Sequence, residues 1–315
     1  MDCIQIPLPD DYEGKVVATL FRVEAQAPSR GAVLYLHGYI DYFFQMHMAR
    51  WFAGKGWDFY ALELRKYGRS LLAGQHADYC RDLHEYYPEI DRSIDRIDEA
   101  GHGRIVLMGH STGGLLAALY MSDGTRRERV DRLILNSPFF EFNTGWFKKR
   151  IAIPFVAALG RLFPYASKAN ELSPFYFDSV HRSARGEWDF DLAYKPREGI
   201  PLYFAWLGAI RRAHRRLRHG LGIRVPVLLM YSARSAWGAH WDEAFRHSDT
   251  VLDVADIRRY GAKLGDRVTT IEVEGGLHDL VLSEKPVRDR VLAAMTDWLD
   301  RKEEPSESVP CPTNG

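Results

Sequence analysis

The stretch from residue 104 to residue 120 constrains the fold more than any other part of the chain. Residues 104–108 form a short aliphatic run, which is typical of a buried strand. Residues 114–120 favour a helix, with no breaker after Gly114. Residues 109–113, between them, read Gly-His-Ser-Thr-Gly, a G-x-S-x-G motif. This succession predicts a nucleophile elbow, a sharp turn that exposes Ser111 above a sheet. The alternative is a glycine-rich turn with a spectator serine.

The remaining sequence repeats strand and helix patterns around this elbow. Residues 4–8 and 15–25 alternate apolar and polar side chains, which predicts an antiparallel pair. From residue 32 onward strands alternate with helices, so the sheet must be mostly parallel and doubly wound. The predicted strands are 32–36, 57–64, 104–108, 130–136, 225–231 and 267–273, and the predicted helices outside the elbow are about 43–54, 82–99, 254–264 and a final one across 287–299.

Residues 137–222, termed the insertion, interrupt this alternation. They contain apolar and aromatic helical segments, and no strand of the sheet is expected among them. We therefore predict a helical cap inserted before the strand at 225–231. The core then comprises residues 1–136 and 223–302, and the Glu-, Ser- and Pro-rich residues 303–315 form a flexible tail.

Composition excludes several classes of protein. The 315 residues carry a formal net charge of zero, so nothing indicates a nucleic-acid partner. We expect neither a signal peptide nor a membrane span, because no apolar run is long enough. The three cysteines (Cys3, Cys80 and Cys311) lack metal-ligand spacing and predict reduced thiols in the cytoplasm. No metal or organic cofactor is expected.

A serine nucleophile needs a base to take its proton and an acid to orient that base. His278 follows the last predicted strand, which is where the base of such an architecture should lie; its alternative is a surface role in the loop. The acid should follow strand 225–231. We favour Asp249 over the runner-up Asp253, because residues 253–256 resemble a helix capping box. Asp242 is a third candidate.

Two backbone N–H groups are candidates for the oxyanion hole, the site that stabilises negative charge on the substrate oxygen. The first belongs to Thr112, directly after the nucleophile. The second belongs to Tyr39, in the loop after strand 32–36. We expect His37, just before that loop, to be a packing or hydrogen-bonding histidine.

Several of these segments together resemble one family. They are Leu-His-Gly-Tyr at 36–39, Arg-Ser at 69–70, Gly-His-Ser-Thr-Gly-Gly at 109–114, Gly-Leu-His at 276–278 and the acid loop at 249–253. They resemble the monoacylglycerol lipase/lysophospholipase branch of the α/β-hydrolases, a branch similar to serine aminopeptidase S33. The resemblance covers about 1–136 and 223–300 and implies an α/β-hydrolase fold with a serine esterase activity. The sequence departs from the family at Glu63 and Lys66, where aspartate and glycine are usual.

The insertion carries the candidate substrate-binding residues. Its aromatic side chains, among them Phe139, Phe140 and Trp146, suit an acyl chain, although they could equally form the core of the cap. A basic flank at 148–150 precedes an apolar segment, which leaves a weak membrane-surface contact and ordinary packing as alternatives. The sequence therefore predicts a cytoplasmic serine esterase acting on a lipid-like or acyl ester. An amidase, peptidase or acyltransferase with the same triad, and a non-catalytic ligand-binding homologue, remain alternatives.

Overall fold

The computed structural model describes residues 1–170 and 172–301. Its strands are β1 (Asp2–Pro7), β2 (Val17–Val23), β3 (Ala32–Leu36), β4 (Asp58–Glu63), β5 (Ile105–His110), β6 (Arg132–Asn136), β7 (Ser167–Lys168), β8 (Leu202–Tyr203), β9 (Val227–Ser232) and β10 (Val268–Val273). Eight of them form one sheet in the order β1-β2-β4-β3-β5-β6-β9-β10. β2 runs antiparallel to β1 and β4, and the other neighbours are parallel. The mostly parallel sheet predicted from the sequence is confirmed.

The described residues form eight α-helices. They are α1 (Met46–Gly54), α2 (Tyr87–Glu99), α3 (Thr112–Asp123), α4 (Ile153–Leu162), α5 (Pro174–Val180), α6 (Phe204–Arg218), α7 (Val254–Gly261) and α8 (Lys285–Asp300). Successive strand residues point to opposite faces, so β3 contributes to two apolar layers. Its Leu34 packs in the layer that contains α2, α3 and α7, and its Tyr35 packs in the layer that contains α1 and α8.

Helix α8 buries the face predicted for it. The buried residues include Val287, Val291, Leu292, Met295, Trp298 and Leu299. Among residues 1–170 and 172–301, no helix combines the length and the hydropathy needed to cross a bilayer. The cytoplasmic location expected from the cysteines stays a prediction. The predicted tail at 303–315, with Cys311, lies outside the described residues.

The insertion contains α4, α5 and α6, and a short π-helical stretch, Lys148–Ala152, leads into α4. It also contains a strand pair that was not predicted from the sequence, because β7 pairs with β8 in antiparallel fashion. Each strand has two residues, which is too short for a hydrophobic period to be visible in the sequence.

Helix α1 begins at Met46, three residues later than predicted. The preceding backbone amides are used elsewhere: the N–H of Phe43 donates to Glu63 Oε1 at 3.0 Å, and the N–H of Phe44 donates to Gln45 Oε1 at 3.1 Å. Glu63 also accepts from the N–H of Arg69 at 2.7 Å. The glutamate that replaces the usual aspartate therefore joins the segments that follow β3 and β4.

Candidate active site

Ser111 lies in a sharp turn between β5 and α3. Its backbone has φ +52° and ψ −117°, a conformation that non-glycine residues rarely adopt. Two flanking glycines make the turn possible. A Cβ on Gly109 would lie 2.4 Å from the carbonyl oxygen of Gly113, and a Cβ on Gly113 would lie 2.2 Å from that of His37. The elbow therefore requires glycine at both positions, because strand, helix and the loop after β3 are in direct backbone contact.

His278 lies in the loop after β10 and contacts two of the predicted residues. Its Nε2 is 3.0 Å from Ser111 Oγ, and its Nδ1 is 2.8 Å from Asp249 Oδ2. A carboxylate can only accept, so Nδ1 carries the proton and donates it to Asp249. Nε2 is then the unprotonated nitrogen that faces Ser111. This tautomer is the one that can accept a proton from the serine hydroxyl.

The acid candidates have different partners. Asp249 is fully buried, and its Oδ1 accepts hydrogen bonds from the N–H groups of Val251 and Leu252, each at 2.8 Å. Asp253 caps the N-terminus of α7 and accepts from the N–H of Ala255 at 3.0 Å. Asp242 similarly caps a short 3₁₀ helix. The geometry brings Asp249 to His278 and gives the other two aspartates local capping roles.

The buried carboxylate of Asp279, the residue after His278, was not predicted from the sequence as part of this site. Asp279 Oδ1 accepts from Asn136 Nδ2 at 2.7 Å, and Asp279 Oδ2 accepts from Gln45 Nε2 at 3.3 Å. Burial lowers the pKa of His110, whose ring centroid lies 4.9 Å from that of His278. The His110 ring is thus neutral at neutral pH and adds no charge beside His278. The only sequence signal for Asp279 was its position next to His278.

The predicted oxyanion donors belong to two segments, the turn at Ser111 and the loop after β3. Within residues 1–170 and 172–301, the backbone N–H groups of Tyr39 and Thr112 donate to no protein acceptor. Gly38 lies close to Ser111, because a Cβ on Gly38 would be 3.2 Å from Ser111 Cβ. Both predicted N–H groups are therefore available to a substrate oxygen.

His37 fixes the orientation of the peptide that carries the Tyr39 N–H. Its Nε2 accepts from the N–H of Leu64 at 3.2 Å, so its Nδ1 donates to the carbonyl oxygen of Gly38 at 2.8 Å. The C=O and N–H of a trans peptide point in opposite directions. The N–H of Tyr39 is therefore directed away from the His37 ring. Burial lowers the pKa of His37 to about 4, which keeps this arrangement neutral.

Ser111 and His278 line a cavity of about 340 Å³. A volume of this size is in the range of small-molecule sites. The insertion supplies most of the aromatic wall, which includes Phe139, Phe142, Tyr176, Phe177, Phe190 and Trp206. The cavity therefore offers an apolar surface next to Ser111.

The three candidate substrate-binding residues lie in three different environments. Phe139 lines the cavity. Phe140 is fully buried in the core, in the layer of α2 and α3, because successive residues of this segment point in different directions. Trp146 is 70 % exposed on the outside of the insertion. Neither Phe140 nor Trp146 contributes to the cavity wall, and the expectation for these two residues is corrected.

Comparison with known proteins places this geometry in a family. A family model described as serine aminopeptidase, S33, matches residues 27–285. No curated protein matches the sequence. Among solved structures, a soluble variant of monoglyceride lipase from Saccharomyces cerevisiae is 15 % identical with a TM-score of 0.71, and 94 % of this chain and 95 % of that one are covered.

Two further structures are similar over most of their length. Monoacylglycerol lipase from Paleococcus ferrophilus is 21 % identical with a TM-score of 0.67, covering 89 % of this chain and 98 % of that one. A thermophilic esterase from Thermogutta terrifontis is 15 % identical with a TM-score of 0.61, covering 94 % and 98 %. These likenesses concern the fold. Together with the family model, they assign the chain to the serine aminopeptidase S33 family of α/β-hydrolases.

Proposed function

We propose that this chain is a serine hydrolase that cleaves carboxylic esters of apolar acyl groups through an acyl-enzyme. The observation that carries the proposal is the hydrogen-bonded series Ser111, His278 and Asp249 at the wall of an apolar cavity. The similar folds of two proteins named monoglyceride and monoacylglycerol lipases support a lipid-like ester as substrate.

The proposed mechanism follows from the proton positions at His278. Ser111 Oγ attacks the ester carbonyl carbon while its proton passes to His278 Nε2, and the carbonyl electron pair moves to the oxygen. The N–H groups of Tyr39 and Thr112 stabilise that oxyanion. As the bond to the alcohol breaks, His278 Nε2 returns the proton to the leaving oxygen. Water then repeats the same steps on the acyl-enzyme and releases the acid.

The charges around the cavity favour an acyl ester over a peptide with a free amino terminus. An aminopeptidase needs a carboxylate for the substrate's ammonium group. Two carboxylates line the described part of the cavity wall, Asp41 and Glu198. Asp41 is buried and paired with Lys195 at 2.8 Å, and Glu198 is exposed to solvent. Apolar surface next to Ser111 instead favours burial of an acyl chain.

A series of substrates tests the proposal. We would compare p-nitrophenyl esters of graded acyl length with p-nitroanilides of the same acyl groups, in the native protein and in Ser111→Ala. We expect kcat/KM for the esters to rise by up to about fourfold per methylene until the cavity is full, since each buried methylene contributes about 0.8 kcal/mol. Ser111→Ala should lower ester hydrolysis by about 10³-fold or more.

Three outcomes would favour the alternatives. Equal rates on matched anilides would indicate an amidase or peptidase. Transfer of the acyl group to an added alcohol in preference to water would indicate an acyltransferase. Hydrolysis of neither series by the native protein, without reaction with fluorophosphonates, would indicate a ligand-binding homologue.

We also propose that the insertion contacts an anionic membrane surface. Large apolar side chains are exposed around α4, among them Trp146, Phe147, Ile151, Phe155, Leu162 and Phe163. Basic side chains lie within the same segment at Lys148, Arg150 and Arg161. Exposed apolar side chains next to cations suit a bilayer interface with anionic lipids.

The two sides of one helical segment connect this surface to the cavity. Ile153 and Val156 of α4 line the cavity, whereas Phe155 of the same helix is 64 % exposed.

We expect the double variant Trp146→Ser/Phe155→Ser to sediment less with phosphatidylcholine/phosphatidylglycerol vesicles than the native protein does. Its hydrolysis of a water-soluble ester should be unchanged. Trp237→Ser removes a tryptophan that is 56 % exposed outside the insertion and serves as the control. Equal sedimentation of all three proteins would contradict the proposal.

A further inference from the structure

The loop that carries the predicted Tyr39 oxyanion donor has a strained backbone. Ile40, the next residue, has φ +51°, in the left-handed region that β-branched residues avoid. Such a conformation persists only where neighbouring groups hold it. Asp78 provides one contact, because its Oδ2 accepts from the N–H of Ile40 at 2.7 Å. The conformation of this loop therefore depends on contacts from outside it.

The insertion supplies three further contacts to the same loop. Lys195 Nζ lies 2.8 Å from Asp41 Oδ1. The Tyr39 ring stacks on Trp206 of α6, with ring centroids 4.2 Å apart. The hydroxyl of Tyr42 accepts from the N–H of Asp191 at 2.7 Å. Three residues of a core loop thus have partners within a segment that begins about a hundred residues later in the chain.

The Lys195–Asp41 pair is the strongest of these contacts on electrostatic grounds. The side chains are 10 % and 2 % exposed, and the ammonium lies 5.6–5.7 Å from the ring centroids of Phe44, Tyr176 and Phe190. A charge in such surroundings is stable only with its partner in place. Burial acts to raise the pKa of Asp41, but the Lys195 ammonium lowers it below its ordinary value. Asp41 is therefore a carboxylate at neutral pH.

We propose that Lys195 is a positioning residue: through its ion pair with Asp41, the insertion holds the loop after β3 so that the Tyr39 N–H faces the developing oxyanion. This inference rests on the proposed function. It makes the insertion part of the catalytic arrangement as well as a wall of the substrate cavity. Separation of Lys195 from Asp41 would leave the strained loop without its charged contact and the oxyanion with a misplaced donor.

The first test is Lys195→Met, which keeps the length of the side chain and removes its charge. Loss of an oxyanion donor costs about 10²–10³ in kcat, and a misplaced one costs part of that. We expect kcat for a p-nitrophenyl ester to fall about 10- to 100-fold, with KM within about twofold of the native value. A rise in KM with unchanged kcat would overturn the proposal, because Lys195 would then act in substrate binding alone.

A transition-state analogue distinguishes positioning from a general loosening of the insertion. A trifluoromethyl ketone forms a tetrahedral adduct: Ser111 Oγ bonds to the carbonyl carbon, its proton passes to His278 Nε2, and the carbonyl oxygen becomes an oxyanion. We expect its inhibition constant to rise by the same factor by which kcat/KM falls in Lys195→Met. The control is the corresponding secondary alcohol, in which the ketone is reduced and no oxyanion can form. Its inhibition constant should change by less than about twofold. Equal weakening of both inhibitors would contradict the positioning role.

The double variant Asp41→Asn/Lys195→Met covers the case in which the single variant does not fold. It leaves no buried charge without a partner. If Lys195 acts by positioning, the double variant should have near-native stability and stay about 10- to 100-fold slow in kcat. Native turnover in the double variant would overturn the proposal, because the single variant's defect would then come from an unpaired carboxylate.

Lys149→Met is the matched control. Lys149 also belongs to the insertion and pairs with a core carboxylate, Asp256, at 2.9 Å. Within residues 1–170 and 172–301 it has no ion pair with the loop after β3 and does not line the cavity. We expect native kcat from this variant. Failure of the proposed function itself has a different signature, since Ser111→Ala would then retain activity. An inactive Ser111→Ala together with a fully active Lys195→Met would refute the positioning role alone.

Discussion

Replacement of Asp249 by asparagine tests the proposed acid with a minimal change of shape. The two carboxylate oxygens have different partners: Oδ2 accepts from His278 Nδ1 at 2.8 Å, and Oδ1 accepts from the N–H groups of Val251 and Leu252 at 2.8 Å each. Asparagine has one acceptor oxygen and one NH₂ group. It can satisfy the imidazole or the two backbone donors, and it cannot satisfy both.

Each orientation of the amide has its own cost. With its oxygen on the backbone donors, the NH₂ faces His278 Nδ1, so the proton moves to Nε2 and the ring cannot accept the serine proton; this lowers kcat by about 10⁴. The flipped orientation leaves two buried N–H groups unsatisfied, at about 1–3 kcal/mol each. That total of about 2–6 kcal/mol lowers the population of the flipped, productive orientation by roughly 30-fold to 10⁴-fold. We therefore expect kcat to fall within this range.

The assay is hydrolysis of a p-nitrophenyl ester, with circular dichroism and thermal unfolding recorded for each variant. Asp253→Asn is the control, because asparagine caps a helix about as well as aspartate and should keep the contact to the Ala255 N–H. Its activity should equal that of the native protein. Retention of more than a tenth of the activity by a folded Asp249→Asn variant, or a larger loss in Asp253→Asn, would refute the assignment.

Three further predictions concern the wall of the cavity, the elbow and a buried histidine. Phe139→Ala should shift the preferred acyl length in the ester series, whereas Phe140→Ala should lower the melting temperature without that shift. The reverse pattern would contradict the placement of Phe139 in the cavity wall and of Phe140 in the core. Gly113→Ala should unfold at a markedly lower temperature or fail to express in soluble form, since its Cβ would lie 2.2 Å from a carbonyl oxygen; a native melting temperature would contradict the elbow geometry. Burial lowers the pKa of His214 from 6.5 to about 4, so the unfolded chain binds a proton in this window that the folded protein does not, and stability falls as pH decreases from about 6.5 to 4. His214→Gln removes this proton site, and its amide can still donate to the Phe139 carbonyl. Its free energy of unfolding, measured with urea, should therefore depend less steeply on pH in this window than that of the native protein, by the uptake of one proton. Equal slopes in the two proteins would contradict the lowered pKa of His214.

The proposed active site was predictable because its signals are local in the sequence. The elbow combines a strand run, a five-residue motif and a helix, and His278 follows the last strand directly. The choice of Asp249 was also local, because a capping pattern gave Asp253 another role, and in the structure Asp253 does cap α7. These patterns indicate where chain direction changes, and in a parallel sheet such changes meet at one edge.

The contacts between distant segments were not predictable in this way. Lys195 and Asp41 are separated by 154 residues, and nothing in either local sequence indicates that they pair. Phe139, Phe140 and Trp146 are all aromatic, so residue class did not separate the cavity-lining side chain from the other two. The direction of each side chain depends on how the insertion packs on the core. The strand pair β7–β8 has no periodic pattern, since each strand contains two residues. Tertiary packing determines all of these features.

Covalent labelling tests the central claim, that Ser111 is the nucleophile, most directly. The native protein would be treated with a fluorophosphonate and its intact mass measured, followed by fragmentation of the tryptic peptide 105–126, which contains two serines, Ser111 and Ser122. We predict one adduct per chain on Ser111, slow labelling of Asp249→Asn, and none in Ser111→Ala. An adduct on Ser122 or elsewhere, or undiminished labelling of Ser111→Ala, would contradict the claim.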